Sequence, residues 1–315
     1  MRKNLFLSFF VTCWLLSAVC HAGAGTSGAQ FLKIGIDAKT SALGGVGAVS
    51  SGPESLFLNP AGIYCGSART AVNLSQAMWI ESVNYSNVAI SREFGFGALG
   101  LGVNYLSVPA ITKYDSAGAK QEESYSPTDM AVTLGYGNKI SAALSYGVNV
   151  KYISSKIDTE TAAAFGGDLG AQYLFNDLRL KLGAVIQNIG TQLKYVNEGD
   201  PLPTTFTLGA KYTLPVNSKL DECFKIDHGV NFNLDVNYVN DSGAIGRFGI
   251  EYARNFGEFG CALRTGYKTN VAGLTGSAGL TAGLGLEYND YSLDYAFVTY
   301  GVLTDVHRIS LGMKW

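Results

Sequence analysis

From Arg69 to the carboxyl terminus, apolar and polar residues take turns with a period of two, and this alternation constrains the chain more than any other feature. In "HGVNFNLDVNYV" (residues 228–239), Val230, Phe232, Leu234, Val236 and Tyr238 fall on one face and Asn231, Asn233, Asp235 and Asn237 on the other. "DLRLKLGAVIQN" repeats the pattern over residues 177–188. A period of two is a strand with one apolar and one polar face. Followed along the chain, the rule predicts fourteen strands, over 69–76, 83–92, 96–107, 127–137, 142–154, 165–175, 178–188, 203–213, 227–239, 245–254, 259–267, 276–289, 290–300 and 306–315. The number is even, and most segments have the ~9–11 residues that a tilted strand needs to cross a bilayer.

Charged residues make up 15% of the chain and hydrophobic ones 47%, with 39 glycines; soluble domains carry about 25% charged residues. After residue 22 no apolar run is long enough for a membrane-spanning helix. The apolar faces must therefore pack on one another or meet lipid. A soluble sandwich or propeller would bury two such faces together, with no call for aromatic strand ends or for paired short and long connections. This chain has both. Residues 93–95, 138–141, 176–177, 255–258 and 289–290 are short and rich in turn formers, whereas the alternate set includes the long 108–126, 155–164 and 189–202. Residues 214–226 depart from the rule. Tyr105, Tyr136, Tyr152, Tyr173, Tyr212, Tyr238, Tyr252, Tyr267, Tyr288 and Tyr300 sit at or near segment ends, where girdle residues meet the headgroups. The expected fold is all-β, a transmembrane antiparallel β-barrel of about 14 strands, closed so that every backbone group in lipid is paired.

The chain opens with a basic Met1–Asn4, an apolar run over 5–20 and small residues near Ala22 and Ala24. That is the build of a secretory signal peptide, placed at 1–22. The run is short for an anchor helix, and Val19 is bulky for a lipoprotein site at Cys20. Past that leader Cys65, Cys223 and Cys261 remain, an odd number that allows one pair without saying which, and buried reduced thiols are expected. At the other end "RISLGMKW" puts Ile309, Leu311, Met313 and Trp315 outward, and Arg308, Ser310, Gly312 and Lys314 inward. A final strand closing on Trp315 resembles the signal by which the barrel-assembly machinery recognises its clients.

Several chemistries are disfavoured. Net charge −2 and pI near 5.9 leave no basic footprint for nucleic acid. "GFGALG" (95–100) matches a dinucleotide fingerprint by letter, yet it opens a strand and has no βαβ unit around it. Its glycines are expected to let the inward face approach something in the lumen. His228 and His307 show no metal-ligand spacing, and His307 and Ser310 point to opposite faces of one strand. No enzyme activity, metal or cofactor is expected. Asp168, Arg179, Lys181, Asp235, Arg247, Glu251, Arg264, Glu287, Asp294 and Arg308 are read as lumen residues of both signs.

Residues 23–68 lack the period of two. They are small-residue-rich, moderately apolar and broken by Gly and Pro. Such a segment is too apolar for a free linker, and irregular backbone survives at membrane depth only when buried in protein. It is expected inside the barrel as a plug. Its most irregular part, "SLFLNPAGIYC", holds Asn59-Pro60-Ala61-Gly62. Pro60 fixes the local backbone, Gly62 permits a sharp bend and the Asn59 side chain can bond nearby backbone. Whether these residues gate or anchor is open at this level.

The stretch "GTSGAQFLKIGIDAKTSALGGVGAVSSGPESLFLNPAGI", with "SQAMWIESVNYSNVAIS" and "LGLGVNYLSV" after it, resembles the PorV/PorQ-like branch of the FadL-type outer-membrane proteins. It is also similar to a treponemal FadL-like family in that branch. The resemblance implies a fourteen-stranded barrel over 69–315 with an amino-terminal hatch over 23–68, and Asn59-Pro60-Ala61 matches the hatch motif. FadL-type members carry long-chain fatty acids and other hydrophobic small molecules, with the hatch rearranging. Phe31, Leu32, Leu56, Phe57 and Leu58 are the hatch residues expected to meet such a ligand. PorV-like members serve type IX secretion, which implies secreted proteins as partners, and a purely structural surface barrel is the third reading. This chain is shorter than typical FadL transporters, whose extracellular loops are large.

Overall fold

A computed structural model of the chain describes residues 25–64, 68–216, 227–269, 278–301 and 305–315. Fourteen strands form one closed antiparallel barrel: β1 (Thr70–Met78), β2 (Asn84–Phe94), β3 (Gly97–Ser107), β6 (Thr128–Lys139), β7 (Leu144–Ile157), β8 (Glu160–Phe175), β9 (Leu180–Gly190), β12 (Thr205–Pro215), β13 (Asp227–Val239), β14 (Gly243–Phe256), β15 (Phe259–Lys268), β16 (Leu280–Tyr288), β17 (Tyr291–Val298) and β18 (Val306–Lys314). Each pairs with its neighbours in sequence, and β18 closes on β1 with Ala71 opposite Lys314 and Met78 opposite His307. The Trp315 carbonyl accepts from the amides of Arg69 and Thr70, which seals the seam at its end.

Alternation decides what each face meets. Along β18, Ile309, Leu311, Met313 and Trp315 are exposed on the outside, whereas Arg308 and Ser310 are buried within. Along β13, Phe232, Leu234 and Val236 are exposed and Asn231, Asn233, Asp235 and Asn237 are buried. An apolar outside with a polar inside inverts the order of a soluble protein.

Four details differ from the strand rule. The expected loop over 155–164 is strand: β7 and β8 run on to a two-residue turn at 158–159, with Asp158 at φ 53°. Hydropathy marks where a strand leaves lipid, and pairing continues past that level with polar residues. The long connections 108–126 and 189–202 carry their own two-stranded sheets, β4 (Ile111–Tyr114) with β5 (Lys120–Tyr125) and β10 (Leu193–Lys194) with β11 (Gly199–Asp200). Arg179 is an exposed turn residue at φ 51° after a 3-10 turn over Asn176–Leu178, so it does not face the lumen. Tyr300 lies half-buried edge-on to Trp79 rather than in a girdle. Cys261 is a free, half-buried thiol; Cys65, Cys223 and residues 1–22 lie outside the described residues.

Short turns mark the periplasmic end of such a barrel and the longer connections the extracellular end. Residues 25–64 cross between the two against the inner wall. Near the extracellular end the Gly28 amide donates to the Pro201 carbonyl at 2.9 Å. Near the periplasmic end the Tyr64 hydroxyl donates to the Gly137 carbonyl at 3.2 Å. The segment carries two short α-helices, α1 (Ala38–Ala42) and α2 (Ser55–Leu58).

Candidate functional site

The segment is fastened by inward side chains that present amides to its backbone. Asn87 donates to the Ile36 carbonyl at 2.9 Å, Asn149 to Leu56 at 2.8 Å, Gln172 to Ser50 at 2.8 Å and Gln187 to Phe57 at 2.8 Å. Asp235 accepts from the amides of Gly47 and Ala48, and Ser310 accepts from Ala38. Irregular backbone with no ladder of its own thus has its polar groups met by the wall. Some of the wall's charges pair with one another, Lys151 with Asp168 at 2.8 Å and Arg264 with both Glu251 and Asp294, whereas Arg247, Arg308 and Lys181 donate to carbonyls of the segment. Asp168 sits at a register shift between β8 and β9, a bulge that re-aims its side chain.

Asn59-Pro60-Ala61-Gly62 form the tightest part. Asn59 is extended (φ −150°, ψ 105°) and caps a 3-10 turn over Pro60–Gly62, accepting from the Ala61 amide at 3.1 Å. Its Nδ2 faces three carbonyls, Ala48 at 2.6 Å, Ala171 at 3.3 Å and Ala184 at 3.4 Å. The side chain therefore ties the turn both to its own segment and to β8 and β9. Beneath it Gly147 and Gly170 stand opposite each other in β7 and β8. A Cβ at Gly147 would lie 2.2 Å from the Pro60 carbonyl carbon, and one at Gly170 would lie 2.0 Å from Asn59 Oδ1. Two glycines in register make a slot filled by the Pro60 backbone and the Asn59 side chain, with no room for a Cβ on the wall.

The apolar residues singled out from sequence share one region. Phe31, Leu56 and Phe57 are buried in a cluster with Ile63, Tyr85, Leu106, Ile153 and Leu202, and Leu32 and Leu58 are half-buried against it. Glycines on the wall make space here too: a Cβ at Gly102 would come within 2.4 Å of the Phe57 ring. Leu56 is fully enclosed. A ligand among these side chains would have to displace some of them.

At the extracellular end Ser27, Gln30 and Lys33 converge on Asp241, which lies between β13 and β14. Burial alone would push the Asp241 carboxyl up, but donors from Ser242, Ser27, Gln30 and Lys33 hold it well below the usual carboxylate range. At the periplasmic end Asp37, Lys39 and Glu54 face one another. Burial pushes Glu54 up to about 7, helped by the Asp37 carboxylate beside it and opposed by Lys39. Asp37 is also raised, first by burial. For Lys39, burial is outweighed by the carboxylates of Glu251, Glu54 and Asp294, so it stays charged.

The wall amides, Asn87, Asn149, Gln172 and Gln187, were not among the candidate residues. An uncharged polar residue at an inward position carries no mark in sequence of what it will hold.

A closed fourteen-stranded barrel, apolar outside and lined with polar pairs and a chain segment within, is an outer-membrane β-barrel protein. The profile of the family described as type IX secretion system protein PorV matches residues 20–237, and the chain belongs to that family. Among solved structures the chain is similar to the toluene transporter TbuX of Ralstonia pickettii, with 14% identity, 89% of this chain and 98% of that one covered, and a TM-score of 0.59. It is likewise similar to the toluene transporter TodX of Pseudomonas putida, with 14% identity, coverage of 88% and 96%, and a TM-score of 0.58. These likenesses show the fold, that of FadL-type barrels. No curated protein matches the sequence.

Proposed function

We propose that this protein is a FadL-like, non-enzymatic transporter of long-chain fatty acids or other hydrophobic small molecules across the outer membrane, reached by way of a signal peptide over 1–22, with residues 23–68 as its hatch. The observation that carries this reading is the apolar cluster inside the barrel, where Phe31, Leu56, Phe57 and Ile63 of the segment pack on the wall residues Tyr85, Leu106 and Ile153. A water-filled pore has no use for such a cluster, whereas an apolar solute needs one to leave water. Likeness in fold to two toluene transporters supports it. The Asn59–Gly62 turn is the hatch's anchor in this reading, because its bonds run to three separate stretches of backbone. Uptake of labelled fatty acid into proteoliposomes tests it. Uptake no faster than in protein-free liposomes would sink the proposal.

Family membership favours a second reading, a component of a protein secretion or surface-attachment machine. Co-purification of a large secreted protein with the intact barrel would favour it, and transport would then be secondary or absent. The last strand, ending at Trp315, is assigned to engagement of the barrel-assembly machinery in either case.

A further inference from the structure

A polar cavity of about 210 Å³ lies at the periplasmic end, between the amino-terminal segment and the wall of β1, β17 and β18. Asp37, Lys39 and the corner Ser51-Gly52-Pro53-Glu54 form one side, and Asn73, Ser292, Asp294 and Lys314 stand on the other. Glu54 is 8% exposed. Its carboxylate folds back over Gly52, where a Cβ would lie 2.8 Å from Oε2, and Gly52 holds φ at +112°. Among the described residues, the only donor to this carboxylate is its own amide. A carboxyl group nine-tenths buried, aimed into a polar cavity and left without an outside partner needs an explanation.

The charged groups that face Glu54 are Asp37 and Lys39 from α1 and Asp294 from β17. Asp294 is already ion-paired with Arg264. Lys39 is shared with Glu251 and repelled by Arg264, and it makes no direct ion pair among the described residues. Asp37 faces Asp294 and Arg308 as well. Glu287, Asp290 and Lys314 line the outer part of the cavity. Two carboxyls therefore share one enclosed corner with a single unpaired ammonium. Such a site favours keeping a proton on one of them.

The corner is held mainly by bonds within the segment, where the Gly52 carbonyl accepts from the Ser55 amide and hydroxyl. Lys181 donates to Ser51 Oγ at 2.8 Å, and the Gly52 amide donates to Gly62 within the segment at 2.9 Å. By contrast, residues on both sides are pinned by Asp235, Gln172, Asn149 and Asn59. Gly52 can swing through conformations closed to other residues, and Pro53 keeps the far side of the corner rigid.

We propose that the Gly52-Pro53-Glu54 corner is the gate of the periplasmic exit, shut while Glu54 carries a proton and released when Glu54 ionises. This rests on the transport reading and adds its regulation. In the shut corner an ionised Glu54 would sit unsolvated beside Asp37. Swinging out about Gly52 brings it to water, parts it from Asp37 and joins the cavity to the lumen.

The direction follows from the two environments. Glu54 titrates at about 7 in the shut corner and returns toward 4.5 when solvated. The shut state is at full strength below the lower value and weakens as pH rises toward the upper one. Above about 7 both states are ionised and no further change occurs. Between pH 5 and pH 8 the opening equilibrium should shift by up to roughly 70-fold.

Amide hydrogen exchange on the full-length protein in nanodiscs, at pH 5 and pH 8 and corrected for intrinsic chemical rates, reads the gate without any ligand. Protection over residues 52–58 should fall at pH 8 in the wild type and stay level in Glu54→Gln, which mimics the protonated carboxyl and so preserves the fold. An equal pH response in Glu54→Gln, or none in the wild type, overturns the inference. In proteoliposomes, fatty-acid uptake should be faster at pH 8 than at pH 5 and lose that dependence in Glu54→Gln. Uptake indifferent to pH removes the gate alone; no uptake at either pH removes the transport reading, and the exit gate with it.

Discussion

Replacing Asn59 by alanine tests whether the Asn59–Gly62 turn is an anchor. The substitution removes the bond to Ala48 at 2.6 Å, the acceptor for the Ala61 amide at 3.1 Å and the two longer contacts to Ala171 and Ala184. Ala48 keeps a donor in Gln172 at 3.1 Å, so its carbonyl stays satisfied. The Ala61 amide does not, because Ala61 is buried and water has no access. Losing one good hydrogen bond costs about 1 kcal/mol, and stranding a buried amide costs about 1–3 kcal/mol more. The emptied volume adds a smaller amount. A total of about 3 kcal/mol is a hundredfold in a local opening equilibrium. The ladders of the wall do not involve Asn59, so the barrel should keep its heat-modifiable band shift on a gel. Hydrogen exchange over residues 47–63 should speed up about a hundredfold, while exchange in β7 and β8 stays within about threefold of the wild type. Asn59→Asp should be worse than alanine, since it sets a carboxylate against three carbonyl oxygens. Exchange unchanged in Asn59→Ala, or loosened equally across segment and wall, would refute the reasoning that Asn59 is the tie between them.

Two further outcomes are expected. Gly147→Val places a side chain where the Pro60 carbonyl lies, 2.2 Å from the new Cβ. The barrel should still assemble, but residues 55–63 should become cleavable by protease added from the periplasmic side; resistance equal to the wild type would mean the slot is not needed. At the other end Thr26 is exposed and precedes the Asp241 cluster. A Thr26→Cys variant should be labelled by a membrane-impermeant maleimide on intact cells, and adding Asp241→Asn should speed the labelling. Because the Asp241 carboxyl is depressed in the folded chain, its contribution is present above the ordinary carboxylate pKa and is lost only as pH falls through its lowered value. Once corrected for the smaller thiolate fraction at pH 5, labelling should thus be as slow at pH 5 as at pH 7, and a corrected rate that rises at pH 5 would count against the cluster.

The wall was legible because lipid imposes its pattern locally. Each residue from Val230 to Tyr238 declares its face by its own polarity, and the count of fourteen needs nothing beyond such alternation. The ends were less legible, as the run-on of β7 and β8 to Asp158 shows, because pairing outlasts the membrane. That residues 25–64 belong inside the wall was legible from their irregularity, but their path along it was not. Its position depends on register: Gly147 and Gly170 are far apart in the chain and become a slot only when β7 and β8 pair. Asn87, Asn149, Gln172 and Gln187 look like any polar lining until a carbonyl arrives opposite them. Asn59 stood out only because Asn-Pro-Ala-Gly breaks every regular structure, and that irregularity does not tell an anchor from a hinge. Glu54 carried no signal, since its environment is assembled from α1 and β17.

The crossing of the lumen by residues 25–64 also orders assembly in time. The segment enters at the extracellular mouth, where Gly28 meets Pro201, and it touches both early strands (Gly102 and Gly135) and late ones (Gly266 and Gly283). A finished barrel filled this tightly offers no route by which some forty residues with two helical turns could be threaded afterwards. The sheet is therefore expected to curl around this segment as it closes. The segment then serves as the mandrel on which the wall is wound. A peptide of residues 25–64 supplied to a barrel refolded without them should accordingly fail to restore the wild-type exchange pattern, whereas the same peptide present during refolding should be captured.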